Sequence, residues 1–401
     1  MIWDAVVVGG GPAGAASACF LARHGLAVSL VDRARFPRAK PCGEFLSPAA
    51  TPILDDLGVR ERVEGAGALR LDRVRIVVEG VPAVELAIPE GWGAPAWGYS
   101  LSRLALDPIL LEAARAAGTR VFESIRVEDV VRDSRGRVSG VMGRTWEGEP
   151  WSARARLVVG AGGRGCPVAR ALGLQRRART PRYDLLAHWR ADGSLPPVCE
   201  LHVGRGAYAA AAPVEGGRAN VNCVVSRAAL RRVRDPEALY DVVLAQHPGL
   251  ANWTAGRREE PVAASDVTPL ATRRATAEGA LLVGDAALFI DPFTGQGLYL
   301  ALRSAAMAAS VAQRALAGSH VDRSSLAGYD EARTAEFSDK RRVSRALQGI
   351  LYRPRLVRGV ARALRRDRDL AATLAAVTGD LVPARRAWSF GFGARLLAAA
   401  H

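Results

Sequence analysis

Val6-Val7-Val8-Gly9-Gly10-Gly11-Pro12-Ala13-Gly14 sets a short β-branched run directly before the spacing G-x-G-x-x-G. A helical pattern follows from Ala15 to His24 and stops at Gly25, a residue suited to a helix C-terminus. A second apolar run, Val28-Ser29-Leu30-Val31, ends in Asp32, 18 residues beyond Gly14. That is close to the roughly 20-residue spacing of an acid that accepts hydrogen bonds from ribose hydroxyls. Gly9 permits the tight turn out of the strand, Gly11 lets backbone approach a pyrophosphate, and Gly14 lets the helix pack closely on the strand. The free N–H groups at the start of that helix face the phosphates. Strand, loop, helix, strand and acid in this order predict a dinucleotide site.

At 401 residues the chain exceeds one ordinary core, so two domains, or one domain with a large insertion, are expected. Its 49% hydrophobic and 24% charged residues make an ordinary globular composition. The net charge of +15 rests almost wholly on arginine, since Lys40 and Lys340 are the only lysines. Nucleic acid is not expected as a partner, because aromatic residues are only 6% and no base-stacking platform is evident. The five cysteines, Cys19, Cys42, Cys166, Cys199 and Cys223, lack C-x-x-C spacing, which points to a reducing compartment and no zinc site. With no leader pattern and no apolar run near 18 residues, a cytoplasmic protein is expected, with at most peripheral membrane contact.

Beyond Asp32, Arg33 to Pro41 reads as a basic, proline-broken loop, and Ala49 to Leu57 as a helix ended by Gly58. Leu71 to Leu86 alternates in strand fashion, with Val74, Ile76 and Val78 on one face. Leu104 to Ala117 is an amphipathic helix; Thr119 to Phe122, Val127 to Val131 and Val138 to Val141 are strands, the last two joined by an Arg135-Gly136-Arg137 turn. The buried run Leu157-Val158-Val159 enters a second glycine cluster, Gly160-Ala161-Gly162-Gly163-Arg164-Gly165. Only the short helical piece Val168 to Leu172 and an irregular basic stretch, Gln175 to Arg182, follow it. The cluster therefore reads as a tight crossing beside the first cofactor, not as a second nucleotide domain.

From Tyr183 to Val267 the character changes to short strands, with Leu201 to Val203, Tyr208 to Pro213 and Ala219 to Val225 as one antiparallel sheet and Pro236 to Gln246 as a helix beside it. The strand Ala280 to Val283 then leads into Gly284-Asp285, a loop through Asp291-Pro292-Phe293-Thr294, and Gly295-Gln296-Gly297 opening a long helix, Leu298 to Leu316. Glycines at a helix start leave N–H donors for an anion or an electron-rich ring edge.

Taken together, Val7 to Asp32, Leu157 to Arg170 and Leu282 to Ser304 resemble the FAD-binding fold of the flavoprotein monooxygenase superfamily, which holds para-hydroxybenzoate hydroxylase, flavin-dependent halogenases and geranylgeranyl reductases. Lys40-Pro41-Cys42-Gly43-Glu44 with Leu46-Ser47-Pro48, and Pro292-Phe293-Thr294-Gly295-Gln296-Gly297-Leu298-Tyr299, are most similar to the geranylgeranyl reductase-like branch. The resemblance implies an α/β protein: a Rossmann-type FAD-binding domain (residues 1–70, 100–182 and 268–325), an antiparallel-sheet substrate domain (71–99 and 183–267), and a helical C-terminal region (326–401). It implies FAD contacts at Gly9, Gly11, Pro12, Ala13, Gly14, Asp32, Arg33, Val127 and Gly162. Arg103 matches the arginine that reaches the phosphates, Asp285 with Gly284 would hold the ribitol, and Gly295, Gln296, Gly297 and Leu298 would face the flavin ring.

The resemblance implies an FAD-dependent oxidoreductase acting on a hydrophobic polyketide- or isoprenoid-like molecule. A hydroxylase using O2 through a flavin C4a-hydroperoxide is the first expectation, and reduction of isoprenoid double bonds is the alternative. Halogenation or a non-catalytic flavoprotein ranks below both, since Trp92 and Trp97 are too widely spaced for the halogenase tryptophan run. Electrons come from NADPH, NADH or an external flavin reductase. Ala161-Gly162-Gly163 replaces the Ala-Asp-Gly usual in NADPH-using hydroxylases, which weighs against direct reduction. Cys42, Gly43 and Pro292 are the candidate catalytic positions at the reactive end, Cys42 as proton donor or packing element. A sheet face carrying Leu201, Val203, Tyr208 and Val221 is expected to form one cavity wall. The basic residues of Arg176 to Arg182 and of the C-terminal helices are expected to meet an acidic head group or an anionic membrane, with Trp388, Phe390 and Phe392 near a substrate mouth or lipid.

Overall fold

The computed structural model describes residues 1–91, 93–178, 181–204, 207–389, 391–393 and 395–396. Trp92, Arg179 and Phe390 lie outside the described residues, as does the side chain of Trp388.

The β-branched run at the N-terminus becomes the strand Ile2–Val8, whose Val6 and Val7 have no exposed surface. A strand buried on both faces suits the middle of a parallel sheet, and that is its place. Ala280–Leu282, Pro150–Gly160, Ile2–Val8, Val28–Val31 and Arg120–Phe122 lie side by side in this order, all parallel. The first half of Pro150–Gly160 also pairs antiparallel with Val138–Thr145, which pairs with Ile125–Arg132. Helices Pro12–Arg23, Arg103–Ala116 and Gly297–Ala317 pack together over the sheet.

A second sheet runs in the order Arg257–Arg258, Arg182–Arg190, Arg218–Ser226, Ala207–Val214, Cys199–Val203, Arg73–Val78, Val81–Ala87. Leu71 to Leu86 is therefore a hairpin and not one strand; the chain reverses at Gly80, whose φ of +76° favours glycine. Its first arm joins Cys199–Val203 in parallel, so residues distant in sequence share this sheet. The back of the sheet, including Leu185, Ala187, Ala209 and Val221, packs against Leu239, Tyr240 and Val243 of helix Pro236–Ala245.

Helices Ala327–Leu351, Pro354–Arg366 and Arg368–Thr378 close the opposite side against the Arg73–Ala87 hairpin. The first of them begins inside the nucleotide fold: Tyr329 is fully buried and its hydroxyl donates to Leu282 O at 2.9 Å. The stretch expected to be irregular, Gln175 to Arg182, contains the strand Gln175–Arg177, which pairs with Leu270–Thr272. No helix among the described residues is long and apolar enough to cross a membrane.

Candidate functional site

One cavity of about 1190 Å³ runs between the two sheets. Gly9, Gly11, Pro12, Ala13, Asp32, Arg33, Arg103, Val127 and Gly162 line one end of it. Cys42, Gly43, Asp285, Pro292, Gly295, Gly297 and Leu298 line it too, so the structure brings most of the expected site together.

Gly14 is a packing residue: a Cβ there would stand 1.7 Å from Gly9 O, so helix Pro12–Arg23 lies against the loop only because position 14 has no side chain. The second glycine cluster packs on the first, since a Cβ on Gly9 would meet Ala161 O at 2.6 Å. Gly11 differs from both. Its Cβ direction faces the guanidinium nitrogens of Arg38 at 3.5 Å and Arg103 at 3.6 Å. Both arginines share Asp107: Arg103 through bonds of 2.6 and 2.8 Å, Arg38 at 3.4 Å. Two cations therefore stand beside a helix N-terminus that no side chain caps, an arrangement that attracts anions. Asp32 accepts from Gly10 N at 2.6 Å and Ala34 N at 2.8 Å, which ties the second strand's end to the loop.

The loop after Lys40 is clamped from two sides. Glu44, in the left-handed region at φ 56°, accepts from Arg103 N at 2.7 Å with one oxygen. Its other oxygen lies 2.9 Å from Asn220 Nδ2 and 2.8 Å from His188 Nε2. Asn220 also donates to Cys42 O at 2.8 Å. Burial alone would lower the His188 pKa, but hydrogen bonds to Glu44 and to Glu260 push it up to about 9. Farther along, Ser47 donates to Asp380 at 2.7 Å, and Asp380 takes a 2.7 Å ion pair from buried Lys340. Burial pushes the Cys42 thiol up, partly opposed by Arg103, so the loop presents a protonated thiol to the cavity.

At the far end, Asp285 makes no hydrogen bond among the described residues, and burial raises its carboxyl despite nearby Arg164, Lys40 and Arg103. Asp291 accepts from Tyr208 OH at 2.6 Å, Gln348 Nε2 at 2.8 Å and Phe293 N at 3.0 Å, which fixes the Pro292–Phe293 turn. Gly295, at φ 66°, then turns the chain into helix Gly297–Ala317, whose start also lacks a side-chain cap. Two residues differ from expectation here. Gln296 is buried and turns its amide to Val377 O and Asp380, away from the cavity; Gly284 has φ 56° and allows close approach to Ala13.

The sequence pattern of the FAD binding domain family matches residues 3–340. This chain belongs to that family. Menaquinone reductase of Mycobacterium tuberculosis (strain ATCC 25618 / H37Rv) is 31% identical over 326 residues, 77% of this chain and 76% of that one. Digeranylgeranylglycerophospholipid reductase 1 of Methanopyrus kandleri is 30% identical over 363 residues, 84% of this chain and 88% of that protein. Tryptophan 2-halogenase of Chondromyces crocatus is 28% identical over 339 residues, 78% of this chain but only 61% of that one. A geranylgeranyl bacteriochlorophyll reductase-like structure from Thermoplasma acidophilum shares the fold, with a TM-score of 0.76, 23% identity and coverage of 99% and 95%. As a member of the family the chain is an FAD-dependent oxidoreductase.

The residues present fit the cofactor. An uncapped helix start flanked by Arg38 and Arg103 suits a pyrophosphate, and the unpartnered Asp285 suits sugar-like hydroxyls. Arg38 and His188 were not singled out from the sequence, and Glu44 was quoted only within the Lys40–Glu44 run, without a role. Arg38 sits in a basic loop like many others in this chain, and His188 is one polar residue on a strand whose partner lies 144 positions away.

The cavity continues past this site along an apolar wall of Val74, Ile76, Leu86, Leu201, Leu347 and Leu374. Of the expected sheet face, Leu201 and Tyr208 line it. Val203 lies on the same side but packs toward the C-terminal helices. Val221 points to the back, because its pairing with Ala187 and Ala211 puts it out of phase; Asn222 takes the cavity side.

Proposed function

We propose that this chain reduces a carbon–carbon double bond of an elongated, apolar, isoprenoid-like molecule, with FAD as its cofactor. Two relatives at 30% identity or more carry reductase names, which moves reduction ahead of the hydroxylation expected from the sequence. The observation that carries the reading is Cys42, a protonated thiol on a clamped loop facing a cavity whose far wall is apolar. Reducing an alkene needs a hydride at one carbon and a proton at the other.

In this reading Arg38, Arg103 and the Gly9–Gly14 loop hold the cofactor's phosphates, Asp32 its ribose and Asp285 its ribitol. Gly162, Arg33 and Val127 shape the cavity around it. Once reduced by its external donor, bound FAD would supply the hydride. The N–H groups at the start of helix Gly297–Ala317, reached through Gly295, would stabilise the negative charge that the flavin ring gains on reduction. Leu298 and the Pro292 turn keep water from that edge. Gly43 lets the Cys42 loop pass close to the ligand, with a Cβ there meeting nothing nearer than Asn222 Nδ2 at 3.9 Å. The Cys42 Sγ–H protonates the carbon away from the hydride.

The division into an FAD domain, a substrate sheet and a C-terminal helical region belongs to this proposal. So does an electron donor other than directly bound NADPH, because Gly162 stands where hydroxylases carry an acid. The arginine-rich helices after residue 353 support contact with an anionic membrane that stores such ligands.

The test supplies chemically reduced holoprotein with a geranylgeranyl compound and weighs the product. Reduction adds two hydrogens and no oxygen, and Cys42→Ala lowers the yield rate roughly a hundredfold while FAD content stays. Incorporation of labelled O2 would instead establish hydroxylation.

A further inference from the structure

Asp184 lies on the strand Arg182–Arg190, opposite Val224 on one side and Ser265 on the other. It is 5% exposed and lines the cavity. Its Oδ1 is buried without a hydrogen-bond partner, and no hydrogen bond or ion pair reaches either oxygen among the described residues. A buried polar group with nothing to bond is rare in a native fold and marks a place where a partner arrives from outside. Asp184 thus forms a second polar point on the cavity face of the sheet, apart from the Cys42 loop and beside Arg164 of the second glycine cluster.

Its surroundings narrow the chemistry. Tyr208, on the same face, has already given its hydroxyl hydrogen to Asp291, so it offers no donor. Asp291 is itself saturated by Tyr208, Gln348 and the Phe293 N–H. Arg164, from the loop after Pro150–Gly160, donates to Ser265 Oγ at 2.5 Å and stacks on Phe289. Its Nη1 is buried and unpartnered as well. The two groups this corner leaves free are therefore the Asp184 carboxyl and the Arg164 Nη1–H, and a ligand acceptor can meet both.

We propose that Asp184, as a neutral carboxylic acid, donates a hydrogen bond to a carbonyl oxygen of the bound molecule and so selects ketone- or quinone-bearing apolar ligands. Burial pushes its carboxyl up to about 7, with Asp291 adding to the shift and Arg164 opposing it. The other ionisable groups coupled to it are Tyr208, Cys223 and Tyr240, all raised by burial and neutral at that pH. Below about pH 7 the acid carries the proton it donates. Above that value it is an anion that repels a carbonyl oxygen. The assignment rests on the reading of this cavity as the site of an apolar ligand, and it adds which polar group that ligand bears.

The test measures binding to oxidised, FAD-loaded protein by calorimetry. The probes are 2-methyl-1,4-naphthoquinone and 2-methylnaphthalene, which differ only in the two carbonyl groups. The wild type should prefer the quinone roughly fivefold or more at about pH 6 and lose that preference by about pH 8.5. Asp184→Asn keeps an N–H donor, so its preference persists and no longer changes with pH. Asp184→Leu binds both compounds alike, while its FAD absorbance shows that the fold is intact. A wild-type preference that does not change with pH, or a preference surviving in Asp184→Leu, overturns the assignment. Binding of neither compound to the wild type overturns the apolar-ligand reading first, and the Asp184 role with it.

Discussion

His188 Nε2 stands 2.8 Å from Glu44 Oε2, and that contact fastens the second sheet to the loop that carries Cys42. Glu44 gathers three partners in all, Arg103 N, Asn220 Nδ2 and the His188 ring, and Arg103 extends the contact to the phosphate end of the cavity. Position along the sheet therefore sets the position of the thiol.

Glu44→Ala should destabilise the protein by roughly 1–3 kcal/mol, because it leaves the Arg103 N–H without its acceptor and takes one of two partners each from His188, which keeps Glu260, and Asn220, which keeps Cys42 O. Chemical denaturation measures this. An unchanged midpoint would mean that the loop is held by Ser47 and Asp380 alone.

The same pair predicts a pH dependence. His188 has a folded pKa raised to about 9 from 6.5, so its contribution is fully present below pH 6.5 and is lost as pH rises through 9. The shift corresponds to at most about 3 kcal/mol. Melting temperature should fall across that window in the wild type and less steeply in His188→Gln.

Glycines 11 and 14 should separate binding from folding. A Cβ on Gly11 meets only two guanidinium nitrogens at 3.5 and 3.6 Å, an ordinary contact, so Gly11→Ala should fold but hold FAD at least tenfold more weakly. A Cβ on Gly14 would sit 1.7 Å from Gly9 O, so Gly14→Ala should lose soluble protein or several degrees of melting temperature. Full FAD occupancy in Gly11→Ala would place the phosphates elsewhere.

Lys340 and Asp380 form an ion pair of 2.7 Å between the long helix Ala327–Leu351 and the turn after Arg368–Thr378. Lys340→Met should cost roughly 3–5 kcal/mol by leaving Asp380 buried and unpaired. Asp380 would then keep only its hydrogen bonds from Ser47 and Gln296. Replacing both charges together, with Asp380→Asn, should recover much of the loss in the same denaturation experiment.

Much of this was legible in the sequence because its signals are local. The glycine loop, Asp32, and the run from Gly284 to Leu298 each announce a strand end or helix start within a few residues, and the structure gathers them around one cavity. What escaped depends on partners far along the chain. Val221 and Asn222 differ by one step of a period-two pattern, and only pairing with Ala187 and Leu186 decides which faces the ligand. Gln296 stands in the middle of the glycine-rich helix start, yet Asp380 turns its side chain outward. Gln175–Arg177 carries no strand signal of its own and is extended only because Leu270–Thr272 lies beside it. Lys340 sits in a basic, polar helix, and nothing near it in sequence marks it as buried.

Electron delivery follows from Gly162. With no acid at this position, NADPH alone should reduce the flavin slowly, and a supplied flavin reductase should speed turnover. Stopped-flow absorbance decides this; saturable reduction by NADPH at the turnover rate would contradict it.

The most direct measurement is the anaerobic fate of the reduced flavin. Holoprotein is reduced with dithionite, freed of excess reductant and mixed without oxygen with geranylgeraniol, which has no quinone ring to take the electrons. The account predicts return of the oxidised flavin absorbance, one equivalent per double bond saturated, and slow return in Cys42→Ala. Reduced flavin that persists with the ligand bound, and returns only on admitting air with oxygen appearing in the product, would contradict it.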